Sequence, residues 1–271
     1  MIISSTSNPQ VKMIRKLRER KTRQDTGLFY IEGLRIIGEA VERSARVQTL
    51  VICPQLLVSD YGKKLLDWGI EHGVNILEVS EVVFRSFSLK EGPQGIGAVV
   101  YQDWTSLNDV SLDDNSLWVA LDAPQDPGNV GTILRTLDSV GGKGVILLDS
   151  STDPYDPTST RASMGSIFNL KLIKTSFEDF IEWRINQPGY LIGTSGQADI
   201  DYHYFAYSLP MVLLMGSERM GLQSRHLSQC DQIVQIPMVG KNDSLNLAVS
   251  TAVILYEIYN KQRDIPNANV L

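Results

Sequence analysis

The chain alternates between short apolar, β-branched runs and stretches whose apolar positions recur every three or four residues. An amphipathic "VKMIRKL" is followed by "GLFYIEG", a helical "GLRIIGEAVERS", the strand-like "VQTLVIC" and a helical "GKKLLDWGIEHG". Then come the strand-like "VNILEVS", a short helix near residues 80–87 and the strand-like "GIGAVVY". Strands separated by helical segments of this length predict parallel βαβ units. Residues 102–115, "QDWTSLNDVSLDDN", are polar and without period, so a boundary is expected there, dividing the chain into domains of residues 1–105 and 106–271. Beyond it the alternation resumes with "LWVAL", a helix from about Asn129, "GVILL" and a helix around 177–186. "YLIGTS", "MVLLM", "QIVQIP" and a long helix from Leu245 to about Lys261 complete it. The expected fold class is α/β, a C-terminal domain on a mostly parallel sheet preceded by a smaller α/β domain. The tail "RDIPNANVL" reads as loosely structured.

Composition narrows the class. A length of 271 residues suits two ordinary domains. The 43% hydrophobic and 21% charged fractions are those of a soluble protein. No apolar run approaches the roughly 20 residues needed to span a bilayer, so no membrane partner is expected. The start "MIISSTSNPQ" is polar and lacks the charged start and apolar stretch of a signal peptide, and Cys53 and Cys230 stand alone. A cytoplasmic protein without disulfides is expected. No His or Cys cluster has metal-ligand spacing, so no metal is expected either.

A net charge of −6 argues against general nucleic-acid binding by the whole surface. Residues 11–24 are the exception, setting Lys12, Arg15, Lys16, Arg18, Arg20, Lys21 and Arg23 against Glu19 alone. With Val11, Ile14 and Leu17 at helical spacing, this predicts one amphipathic helix with a basic side. Such a side is either a solvated face or a phosphate-contacting one. Charge alone does not tell RNA from DNA or an acidic protein.

Three stretches of the C-terminal half place glycine and polar residues at strand ends, where parallel sheets collect ligands. In "LDAPQDPGNVGTILRTLDSVGG", Val130, Ile133, Leu134 and Leu137 form an apolar stripe, leaving Gly131 and Arg135 on another face. Gly131 would let a ligand approach beside the guanidinium, and Asn129 suits an N-cap. In "VLLMGSERMGL", Gly216 after a buried strand would let a ligand lie on the backbone, with Glu218 as an acceptor or a partner for arginine. In "IPMVGKNDSLNLAVSTAVILYEI", Ser244 and Asn246 sit at the start of a buried helix, Ser244 as a cap or a functional group. His72, His203 and His226 lie outside these stretches and read as surface or packing residues.

Taken in order, "NVGTILR", "MGSERMGL" and "IPMVGKNDSLNLAVSTAVILYE" closely resemble the three signature motifs of the SpoU, or TrmH-type, RNA ribose methyltransferases of the SPOUT superfamily. "ISSTSNPQVKMIRKL" and "GLFYIEGLRIIGEA" are similar to that family's substrate-binding domain, common in members that modify large-subunit ribosomal RNA. The resemblance implies methyl transfer from S-adenosylmethionine to a ribose 2'-hydroxyl, a C-terminal trefoil knot and a homodimer whose sites draw on both chains. It implies that Thr194, Gly216, Ile236, Met238 and Leu245 neighbour the cofactor. It gives Arg135 the catalytic position. A guanidinium is a poor general base, so its cation would grip a phosphate and stabilise the developing alkoxide. Asn129 would orient Arg135 or the ribose, Glu218 would fix the network, and Ser244 with Asn246 would complete the site. In "RASMG", Arg161 and Ser163 would add an RNA contact, an ordinary helix start being the alternative.

Other readings stay open at this point: a tRNA ribose methyltransferase, a base-methylating SPOUT enzyme, or an RNA-binding module without catalysis. A nicotinamide-dependent oxidoreductase would suit the alternation but lacks G-x-G-x-x-G.

Overall fold

The computed structural model describes residues 2–263, so the tail beyond Arg263 lies outside the described residues. Its first stretch runs through α1 (Pro9–Lys16), α2 (Arg20–Thr26), β1 (Leu28–Glu32), α3 (Leu34–Glu42) and β2 (Val47–Ile52). It continues with α4 (Asp60–Glu71), β3 (Asn75–Glu78), α5 (Glu81–Phe87) and β4 (Ile96–Tyr101). Then follow β5 (Leu117–Asp122), α6 (Pro127–Ser139), β6 (Gly144–Leu148), α7 (Pro157–Ser163), β7 (Lys171–Thr175) and α8 (Phe177–Ile185). The chain ends on β8 (Tyr190–Thr194), β9 (Ile200–Asp201), β10 (Met211–Met215), α9 (Ser224–Leu227), β11 (Gln232–Gln235) and α10 (Leu247–Gln262). Two compact units result, Met1–Asp103 with Asp153–Asn169, and Trp104–Thr152 with Leu170–Leu271. The units are therefore not two consecutive segments: the stretch carrying α7 belongs with the first.

In the first unit the strand order is β1-β4-β2-β3. Only β2 and β3 are parallel; β4 inserts between β1 and β2 and runs antiparallel to both. The parallel βαβ expectation thus holds here for β2–α4–β3 alone and fails for the rest, because β4 returns to the middle of the sheet. One core gathers Val11, Ile14, Leu17, Tyr30, Val51, Phe84 and Phe87, burying the apolar stripe that predicted a helix at the start.

That helix is two. α1 is capped by Asn8, whose side chain accepts from the Gln10 N–H, with Pro9 at its first position. It ends at Leu17, and α2 begins after Glu19. The break frees backbone carbonyls that the buried Arg23 satisfies, its Nη1 donating to Leu17 O at 2.9 Å and Arg18 O at 2.8 Å.

The second unit holds an all-parallel sheet in the order β7-β6-β5-β10-β8-β11-β9. Trp118, Ile146, Phe180, Leu191, Val212 and Leu214 are buried in its core. Strands covered on both faces read as unbroken apolar runs, as "LWVAL", "GVILL" and "MVLLM" do. The edge strand β7 escaped that pattern because Lys171 and Lys174 are exposed.

Candidate active site

β5 lies between β6 and β10. The chain leaving β5 builds outward through β6 and β7, and later strands build the other way, so the β5–β10 crevice is where the strand order switches. Open α/β sheets take ligands at the carboxyl edge of such a point.

α6 starts there on a cap–proline pair: the Asp126 carboxylate accepts the Gly128 N–H and Pro127 takes the first position. The helix thus begins ahead of Asn129, and Asn129 is not its cap. Freed from capping, the buried Asn129 side chain donates from Nδ2 to Glu218 Oε1 at 3.1 Å. Glu218, in the loop after β10, also accepts the Asp126 N–H at 3.2 Å and the Gln125 N–H at 3.1 Å. Asn129 Oδ1 accepts from Asn246 Nδ2 at 3.0 Å. Asn246 Oδ1 in turn accepts the N–H groups of Ala248 and Val249 at 2.9 and 3.3 Å, capping α10. Each amide has one end that donates and one that accepts, so this relay fixes both orientations and ties three elements into one site.

Burial pushes the Glu218 carboxyl up, but hydrogen bonds from its own backbone, Asn129, Gln125 and Asp126 outweigh it and hold the group below its ordinary value. The site therefore keeps an anion anchored on fixed N–H groups.

Several expected roles change. The Asn129 amide is held by Glu218 and Asn246, and no contact between it and Arg135 is present among the described residues. Arg135 is exposed, and its guanidinium has no partner among the described residues. Gly131 is buried and α6 packs on α10, so the helix is not open to a ligand at that glycine. Ser244 is not a cap either: its hydroxyl donates to Asp243 Oδ1 at 3.0 Å, and α10 starts at Leu247 rather than Leu245.

The expected cofactor neighbours follow the ends of adjacent strands. Thr194 closes β8, Gly216 follows β10 and Ile236 follows β11. Gly216 is needed for a different reason than supposed. A Cβ there would lie 2.1 Å from the Gly221 carbonyl carbon and 2.3 Å from Leu222 N, so the backbone lying on it is the chain's own. Met238 and Leu245, between β11 and α10, are each 39% exposed. From Ile236 to Asn246 no backbone N–H has a partner among the described residues, Pro237 having none to offer. Exposed apolar side chains beside unspent donors suit a ligand with a flat apolar face and polar edges.

Below this edge lies a pair that sequence reasoning missed. Asp122 ends β5, and its carboxylate is 3.4 Å from Nδ1 of the buried His226, which packs edge-on against Phe177. Burial raises the Asp122 carboxyl and lowers the His226 imidazole, favouring the neutral form of each. Nothing in local spacing joins residues so far apart in the chain. Asp126 was missed as well, although Asp-Pro is a helix-start signature that could have found it; Gln125 acts through its backbone N–H and leaves no such signal.

In the first unit the basic cluster divides. Arg23 is 1% exposed, bound to Asp153 at 2.7 Å and Asp156 at 3.2 Å, and so leaves the set of RNA contacts. Arg15 donates to Ser86 Oγ at 3.0 Å, and Arg18 to the carbonyls of Phe87 and Ser88 at 2.8 and 3.0 Å. Lys12, Lys16, Arg20 and Lys21 are exposed. "RASMG" is the end of α7 rather than a helix start, with Met164 as the left-handed cap. Ser163 is buried and donates to Thr160 O at 2.8 Å, while Arg161 is exposed.

Comparison with known proteins adds independent findings. The SpoU rRNA Methylase family matches residues 116–256, and an MRM3-like substrate binding domain matches residues 8–98. A 23S rRNA (uridine(2479)-2'-O)-methyltransferase of Streptomyces viridochromogenes is 33% identical over 89% of this chain and 85% of its own. The 23S rRNA (guanosine(2553)-2'-O)-methyltransferase RlmP of Bacillus subtilis (strain 168) is 29% identical over 94% of this chain and 98% of its own. The crystal structure of an AdoMet-bound rRNA methyltransferase from Sinorhizobium meliloti superposes with a TM-score of 0.89 at 34% identity, covering 97% of this chain and 98% of that one.

Proposed function

The chain belongs to the SpoU rRNA Methylase family, and from that premise we propose that it transfers a methyl group from S-adenosylmethionine to a ribose 2'-hydroxyl of large-subunit ribosomal RNA. The observation that carries the reading is the near full-length similarity to two 23S rRNA 2'-O-methyltransferases, together with the Asn246–Asn129–Glu218 relay at the sheet's switch point. The same reading makes it a cytoplasmic homodimer with a knotted C-terminal part. Val249 and Tyr256 of α10, 49% and 47% exposed, are apolar surface for a second copy.

S-adenosylmethionine fits the region after β8, β10 and β11. The N–H groups between Ile236 and Asn246 would hold its polar edges, and Met238 and Leu245 would face its adenine. When bound, it supplies a methyl already activated by a sulfonium leaving group. What remains for the chain is to position the hydroxyl and ease its proton loss. Arg135, exposed and unspent, would hold the neighbouring phosphate and stabilise negative charge on the 2'-oxygen, a task suited to a planar multi-donor cation. Glu218, Asn129 and Asn246 would keep α6 and α10 in register around it.

Calorimetry with S-adenosylmethionine, and ribose-methylation mapping of total RNA from cells with and without the gene, test the reading. Cofactor binding and loss of one mark in large-subunit rRNA are expected. A complete methylation map in the deleted strain, with no cofactor binding by the purified protein, would overturn it. A lost mark in tRNA would move the substrate.

A further inference from the structure

The first unit contains a cavity of about 960 Å³ that the methyl-transfer site does not use. Its wall brings together cations far apart in sequence: Arg35 on α3, Lys90 in the loop after α5 and Arg161 on α7. None of the three has an ion-pair or hydrogen-bond partner for its side chain among the described residues. Lys90 Nζ lies against Gly33 at the start of α3, where a Cβ would come within 2.2 Å of it; the φ of 111° is what calls for glycine at that position. The loop carrying Lys90 is fastened by the buried Glu32, whose oxygens accept the Ser88 hydroxyl at 2.7 Å and the Leu89 N–H at 2.6 Å. Both oxygens of Glu32 already hold donors, so this carboxylate serves the loop; Glu91, the other acid on the wall, is exposed. Ile36 and Met164 add half-buried apolar surface to the same wall, and Tyr30 carries a buried hydroxyl without a protein partner.

Cations around an apolar wall suit a group with a phosphate at one end and a flat ring at the other. Single-stranded RNA is bound in this way, by charge along its backbone and by packing of unstacked bases. We propose that this cavity receives one unstacked nucleotide of the RNA substrate, Arg35, Lys90 and Arg161 holding its phosphate and Ile36 and Met164 packing its base. The inference rests on the reading of the protein as an RNA methyltransferase. It gives the first unit a pocket for one nucleotide, in addition to the basic surface of α1 and α2.

The probe is a short single-stranded RNA of mixed sequence, followed by fluorescence anisotropy over a range of salt. The full chain is compared with a variant carrying Arg35→Gln, Lys90→Gln and Arg161→Gln. The variant should lose about tenfold in RNA affinity, and its salt slope should fall by about 0.7 for each phosphate contact removed. Its melting temperature and S-adenosylmethionine affinity should stay at wild-type values. In the unaltered protein, 4-thiouridine in the same RNA should crosslink to the 89–92 and 157–164 segments, a result that does not depend on the variant folding. Wild-type RNA affinity in the variant, or crosslinks confined to α1 and α2, would overturn the cavity's role and leave the methyltransferase reading intact. Tighter binding of AMP than of RNA, lost in the variant, would overturn it in favour of a free nucleotide. A wild-type protein that binds neither RNA nor S-adenosylmethionine would overturn both.

Discussion

Arg23 and Arg135 bring the same group to two different surroundings, and the surroundings decide what each does. Arg23 is enclosed, with two carboxylates and two backbone carbonyls around its guanidinium. Removing one partner of a buried pair strands the other's charge and typically costs about 3–5 kcal/mol. Arg23→Met should therefore lose that much stability in urea titration while leaving Asp153 buried and unpaired. Arg135 stands in solvent, and Arg135→Ala should change stability by no more than about 0.5 kcal/mol. Its methyl-transfer rate should fall by about 100-fold or more, the usual effect of deleting one group that stabilises developing charge. Arg135→Lys should restore little, because an ammonium lacks the planar fork. Single-turnover methylation and melting of the same proteins check this; a near wild-type rate in Arg135→Ala would remove it from the mechanism. Glu218 adds a pH signature. Its carboxyl is held below the ordinary 4.5, so the stability it contributes is present above that pH and lost as pH falls through the folded value. Glu218→Gln should accordingly be less stable than wild type at neutral pH, and the gap should close on acidification. A gap independent of pH would mean that the charge is not what the loop amides recognise.

At the scale of elements, legibility followed how local each signal was. The apolar runs of β5, β6 and β10 could be read directly, because both faces of those strands are buried and no alternation is needed. Motif residues were read as a group, yet their individual duties were not. Asn129 has a cap's side chain, and only the Asp126–Pro127 pair ahead of it reveals that the cap position is taken. The basic segment shows the limit most clearly. Its spacing is helical throughout, and the break between α1 and α2 is stabilised by Asp153 and Asp156, which no local pattern connects to Arg23. The set of expected RNA contacts changes with that division. Replacing Lys12, Lys16 and Lys21 by Gln should leave stability within about 0.5 kcal/mol. It should weaken RNA binding and flatten its salt dependence, since each lost phosphate contact removes counterion release. Arg18→Gln should instead cost stability, because it loosens the end of α5. An RNA salt slope unchanged by the lysine variant would make this surface a solvated face.

At the scale of the whole molecule, the chain order and the order of packing part company. The segment from Asp153 to Asn169 leaves the parallel sheet after β6, completes the first unit and returns as β7. Within the first unit it supplies both counterions of Arg23, the Tyr155 ring that packs on Phe29 with centroids 4.7 Å apart, and the Tyr155 hydroxyl that donates to Asp103 O at 2.8 Å. A cut at the polar stretch after β4 therefore looks harmless in the sequence and is not. A fragment of residues 1–103 would retain Arg23 with no carboxylate, a loss of about 3–5 kcal/mol. A domain's whole stability is about 5–15 kcal/mol, and the missing aromatic contact subtracts further. The fragment should be unfolded or loosely packed at room temperature, binding hydrophobic dye and lacking a cooperative melt. Arg23→Met in the same fragment should cost it much less than in the full chain, because both carboxylates are already gone and only the hydrogen bonds to Leu17 O and Arg18 O are left to lose. The identical substitution in the full chain should carry its full penalty. Melting the two fragments beside the two full-length proteins measures the coupling, and a fragment that melts as cooperatively as the full chain would show that the inserted segment contributes little to the unit it joins.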